Sequence, residues 1–152
     1  MVQSDRADED DELNPMVTPI TTDAAPLPLG HYSQGVVHNG MLHVATQLPI
    51  VPGGAPDPGA PAGVQAERAL QNVLAIVEAA GGSAATLLRV TIYLADIAAW
   101  DEANAAYARV MGPARPARGV IQVAGLHHGF KVAMDAVAAV PGLRQRDGTQ
   151  PR

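Results

Sequence analysis

The apolar and polar positions fall into short segments with two different periods. Ala66, Leu70, Val73 and Val77 recur at helical spacing within residues 64–80, and Gly81-Gly82 supplies a stop, so this stretch is predicted to be a helix. A second stripe, Trp100, Ala103, Tyr107 and Val110, predicts another helix, with Asp96 placed to cap it and Gly112-Pro113 to end it. Residues 89–95 alternate instead, with Val90, Ile92 and Leu94 on one face of a strand. Residues 33–37 and 41–47 flank Asn39-Gly40, a strong hairpin signal, and are expected to pair. Residues 52–63 hold four prolines and four glycines and read as a loop. Residues 118–124 and 131–140 are two more strands around a turn at 125–129.

The predicted order is β-β-α-β-α-β-β, and one sheet with two helices on one face is its economical packing, an α+β arrangement. On this reading Ile121, Val123, Val132, Met134 and Ala136 pack under the helices. Arg118, Val120, Gln122, Lys131, Ala133, Asp135 and Val137 occupy the opposite face. Two helices cannot cover both faces, so the second face is expected to meet another subunit, with a few polar groups placed in that interface.

Charge changes the picture at one end. Residues 1–12 hold six acids against Arg6, which accounts for the whole net charge of −5. Residues 1–22 therefore read as a solvated acidic tail, 24–141 as the folded body and 142–152 as a frayed tail. The body is neutral and aromatic residues make up only 3% of the chain, which is not the basic, stacking surface of a nucleic-acid binder. The longest uncharged stretch, 24–56, is broken by prolines and glycines, so no membrane span is expected. The acidic N-terminus does not fit a secretory or transit signal, and a cytoplasmic location is expected. The absence of cysteine removes disulfides, thiolate metal sites and cysteine nucleophiles. Zinc held by His31, His43, His127 and His128 has no supporting motif spacing.

Several short segments, in order, resemble the RidA/YjgF family (reactive intermediate deaminase A). Gly30-His31-Tyr32-Ser33-Gln34-Gly35-Val36 resembles its GPYSQAV segment, and Ala45-Thr46-Gln47-Leu48-Pro49 its SGQxP. Gln71-Asn72-Val73-Leu74-Ala75 resembles LxNVxA, and Glu78-Ala79-Ala80-Gly81 matches EAAG. Val90-Thr91-Ile92-Tyr93-Leu94-Ala95-Asp96 resembles KTTVYLxD, Asn104-Ala105-Ala106-Tyr107 resembles NxxY, and Pro116-Ala117-Arg118 matches PAR. The resemblance spans about residues 24–140. It implies a chorismate-mutase-like fold, a homotrimer with sites between subunits, and hydrolysis of 2-imino and 2-enamino acids to 2-keto acids and ammonia, with no metal or cofactor.

The residue chemistry fits that implication in part. A guanidinium binds a carboxylate through a planar fork, and the resemblance gives Arg118 that role; a strand-end ion pair is the plain alternative. Arg115, in the near-copy Pro113-Ala114-Arg115, is out of register with the motif. Tyr32 offers a hydroxyl and a ring wall, or simply anchors the hairpin. Asn104 shares a helix face with Trp100 and Tyr107 and needs partners if buried. The resemblance also places the Val120 carbonyl near the attacking water, and Thr46 and Gln47 beside the substrate.

Some positions depart from the family pattern. Where the family has VEIEA, with its first glutamate activating water, this chain has Val132-Ala133-Met134-Asp135-Ala136. Alanine cannot move a proton, and losing a general base typically costs about 10²–10⁴-fold in rate. Asp135 lies two residues on, on the same strand face, and could act through a second water; the family has an acid at that position as well, without that role. Thr46 replaces a glycine, the segment before Pro116 is short, and His127-His128 stands in a turn where it either titrates beside the cleft or is merely solvated. Three readings follow: a deaminase, a repurposed non-hydrolytic enzyme, or a trimer that binds a small carboxylate or a protein partner.

Overall fold

The computed structural model describes residues 16–140; residues 1–15 and 141–152, with the expected C-terminal tail and the last residue of the expected body, lie outside them. Six strands form one sheet: β1 (Thr18–Ile20), β2 (Gly35–His38), β3 (Met41–Gln47), β4 (Leu87–Leu94), β5 (Ala117–Gln122) and β6 (Val132–Ala139). Their spatial order is β1-β2-β3-β6-β4-β5, with β4 and β5 parallel and every other pair antiparallel. Helices α1 (Ala62–Ala79) and α2 (Trp100–Met111) pack against each other and on one face of the sheet. The expected α+β architecture is present, with one strand added at the front.

That strand corrects the reading of 1–22 as an unstructured tail. Thr18–Ile20 pairs with β2, and Ile20 is buried. Three residues centred on Pro19 show no alternation long enough to read, and a proline is tolerated there because β1 is an edge strand. The following segment is pinned by Gln34, which is buried. Its Oε1 accepts from the Thr22 N–H at 2.7 Å, and its Nε2 donates to the Thr22 and Pro26 carbonyls, both at 2.9 Å.

The hairpin forms where Asn39-Gly40 places it, both residues having positive φ (50° and 73°) as the tight turn requires. In α1 the predicted stripe is fully buried, and Gly81 with φ 90° closes the helix. Asp96 caps not α2 itself but the 3₁₀ turn Ile97–Ala99 that leads into it, accepting from the Ala98 N–H at 2.9 Å; α2 begins after Ala99 with no side-chain cap. Asn72 is buried on α1 and donates to the Leu48 and Ile50 carbonyls at 3.0 and 2.8 Å, so the helix holds the chain that leaves β3.

The face assignment of β5 is reversed. Arg118 and Val120 point to the helix side, not the open face, and Ile121 points to the open face, 47% exposed. The parallel register explains this: Val90 pairs with Arg118 and Ile92 with Val120, so these β5 residues share the face of buried core residues. Val123 lies beyond the end of the strand. Val132, Met134 and Ala136 do face the core, which leaves Ala133 and Asp135 on the open face as expected.

Two predictions follow. Asn72→Ala removes both clamps and is expected to cost about 2–3 kcal/mol in urea unfolding; a loss below 0.5 kcal/mol would contradict the clamp. Tyr107 is buried on α2 and its hydroxyl has no partner among the described residues. Burial pushes its phenol up from the ordinary value near 10, against the opposing field of Arg118. The folded state therefore holds that proton after the unfolded chain has lost it, and stability should fall as pH rises above about 10. Tyr107→Phe is expected to keep full stability at neutral pH and to weaken this alkaline loss, read from thermal midpoints between pH 8 and 11.

Candidate functional site

The sequence-predicted residues gather in two places on opposite sides of the sheet. The first is at the β5 edge. Arg118 Nη1 donates to Asn104 Oδ1 at 2.8 Å, and its guanidinium carbon lies 4.8 Å from the Tyr107 ring centre and 5.6 Å from that of Trp100. Two aromatic faces and one amide oxygen fix the cation without neutralising it. Arg118, Asn104 and Trp100, with Ile92, Ala103 and Val120, line a narrow crevice. Asn104 spends its oxygen on the guanidinium, so it orients Arg118 and keeps its own amide N–H groups for other partners.

The second place is a pocket with about 340 Å³ of open space, lined mainly by Pro26, Leu27, Leu29, Tyr32, Leu48 and Ile50, with Thr46 and Gln47 at its polar side. The Tyr32 hydroxyl accepts from the Leu29 N–H at 3.2 Å, and its ring is half exposed. Gln47 is buried and donates to the Ala45 carbonyl at 3.1 Å. The walls of this pocket are the segments that Gln34 and Asn72 pin.

Thr46 joins the pocket to a polar cluster on the open face. Its hydroxyl donates to Asp135 Oδ2 at 3.0 Å, and the Tyr93 hydroxyl donates to the same oxygen at 2.7 Å. That bond to Asp135, then burial, raises the Tyr93 phenol above its ordinary value, so it stays a proton donor at neutral pH. Ala133 pairs with Tyr93 in the ladder and is fully buried, presenting only a methyl group.

Tyr93 is the functional candidate that residue patterns did not single out. The signal was its place opposite Val90, Ile92 and Leu94 in β4, which puts it beside Asp135 once β6 is known to pair there. The His127 and His128 rings lie with centres 3.9 Å apart and planes tilted by 50° in an exposed turn where His128 has positive φ. Among the described residues no three His, Asp or Glu side chains converge as metal ligands would, and no helix is long and apolar enough to cross a membrane.

Comparison with known proteins gives a consistent answer. The family model described as "Endoribonuclease L-PSP" matches residues 22–140. A RutC family protein of Pyrococcus abyssi is 34% identical over 78% of this chain and 94% of its own. The chloroplastic Reactive Intermediate Deaminase A of Arabidopsis thaliana is 30% identical over 80% of this chain and 65% of its own. Among solved structures, E. coli TdcF with bound serine superposes with a TM-score of 0.76 at 32% identity, over 80% of this chain and 98% of its own. Shared sequence, sheet order and helix placement therefore assign this chain to the RidA/YjgF/RutC family.

Proposed function

We propose that this chain is a hydrolytic deaminase of 2-imino acids and their 2-enamine tautomers, acting as a homotrimer at sites completed between neighbouring copies. The observation that carries the reading is Arg118, a fixed guanidinium at a strand edge with most of its N–H groups unspent. Such a fork suits a substrate carboxylate held bidentately. The serine bound by E. coli TdcF is a ligand of this type, and the Arabidopsis relative carries the deaminase name.

The division of the site supports the trimer. Arg118 lies on the helix side and the Thr46–Asp135–Tyr93 cluster on the open side, so one chain does not bring both to one small molecule. The open face also exposes Ile121, an apolar residue that a neighbouring copy would cover. In the proposed complex Arg118 of one copy holds the carboxylate, and the Tyr32 pocket of the next takes an apolar side chain.

Water adds to the imine carbon, a C–O bond forms, and the C=N electron pair moves to nitrogen. The carbinolamine then loses ammonia and leaves the 2-keto acid. Water is the only co-reactant, and holding imine and water together removes most of the entropic barrier. Ala133 favours a second reading, a non-hydrolytic step on a small carboxylate or plain binding of one, because no carboxylate stands at that position.

The test is hydrolysis of freshly generated 2-iminopropionate and of a bulkier imine, followed as keto acid. Turnover by the wild type and a loss of about 10²-fold or more in kcat/KM for Arg118→Ala are expected. Undiminished turnover in Arg118→Ala refutes the assignment. An inert wild type that binds 2-keto acids saturably selects the second reading. A solution mass of three chains is expected, and a monomeric mass overturns the shared site.

A further inference from the structure

We propose that Asp135, oriented by Thr46 and Tyr93, takes the proton from the attacking water; this rests on the deaminase reading above. Asp135 is the only carboxylate in any of the six strands. Its partners come from β3 and β4, so three strands converge on one carboxyl group at the side of the Thr46 pocket.

The geometry is one-sided. Both hydroxyls donate to Oδ2, and among the described residues Oδ1 has no hydrogen-bond partner. A carboxylate has about four lone-pair sites, so the clamp spends one oxygen and leaves the other free. Two donors on Oδ2 also stop the group from rotating, which fixes where Oδ1 points. Arg89 lies on the same face but its guanidinium sits over Gly119, where a Cβ would come within 2.8 Å of Nη2, and it does not close on Asp135.

Two features that look unrelated in the sequence then become one device. Thr46 supplies a hydroxyl that glycine would lack, and Asp135 is what it holds. Ala133, Tyr93's neighbour in the ladder, offers no competing acid. In the proposed step Oδ1 accepts a proton from water while the water oxygen bonds to the imine carbon and the C=N pair moves to nitrogen. The carboxylic acid so formed returns the proton to that nitrogen, giving the carbinolamine and the Asp135 carboxylate. The carboxylate then takes the carbinolamine hydroxyl proton and passes it to nitrogen as the C=O bond forms and the C–N bond breaks, so ammonia leaves and Asp135 is regenerated. Asp135 is thus a catalytic residue, and Thr46 and Tyr93 are positioning residues.

The experiment measures kcat and KM for 2-iminopropionate with wild type, Asp135→Asn, Thr46→Val, Thr46→Ser and Tyr93→Phe, alongside Arg118→Ala. Expected are a fall of about 10²-fold or more in kcat for Asp135→Asn with KM little moved. Thr46→Val and Tyr93→Phe should each lower kcat about tenfold, and Thr46→Ser should restore it. Asp135→Asn with wild-type kcat, while Arg118→Ala is dead, overturns this inference and leaves the deaminase reading standing. An inert wild type overturns both. If Asp135→Asn does not fold, unchanged kcat in both Thr46→Val and Tyr93→Phe overturns the inference.

Discussion

Two helices packed side by side cover roughly 20 Å, and a six-stranded sheet is about 24 Å wide, so α1 and α2 serve one face and no helix among the described residues serves the other. The chemistry of the molecule follows from that constraint. The helix side carries the close-packed core and, at its edge, an arginine fixed between aromatic rings. The open side carries the polar groups that a core would not tolerate, Thr46, Tyr93 and Asp135, beside exposed apolar positions such as Ile121. A face of this kind suits an interface with chemistry in it, and a second copy is the proposed occupant.

Rigidity reaches the site through buried amides. Gln34 holds residues 22–26 and Asn72 holds Leu48 and Ile50, so most of the Tyr32 pocket wall hangs from two side chains that are nearly inaccessible. Gln65 does the same for the proline-rich loop, donating to the Pro58 and Ala60 carbonyls while accepting from the Lys131 N–H. Loops rich in proline and glycine have few ways to fix themselves, and each of these amides satisfies several backbone groups at once. The catalytic side chains proposed here stand on strands, where a misplacement of 1 Å is harder to reach than on a free loop.

The helices and β4 were legible because their periods are long and unbroken, and the Asn39-Gly40 turn because few residues tolerate its φ values. The facing of β5 was not. Ile121 is the bulkiest apolar residue of that strand and was assigned inward, yet an edge strand beside a shared face puts apolar residues outward. β1 was missed because three residues carry no period. Within the site, Arg118 and Asn104 were singled out in the sequence and do meet. The Asp135 cluster was not legible as a unit: its partners lie 89 and 42 residues away, and only the β3-β6-β4 strand order brings them together.

In the proposed assembly, a working site needs Arg118 from one copy and the Asp135 side of another. The direct measurement is activity on 2-iminopropionate after Arg118→Ala and Asp135→Asn chains are unfolded together and refolded as mixed assemblies. Each parent alone is expected to be close to inactive. If the site is shared, random mixing pairs an intact Arg118 with an intact Asp135 in about a quarter of the sites, and turnover returns to about that fraction of wild type. Mixed assemblies as inactive as either parent would contradict the account.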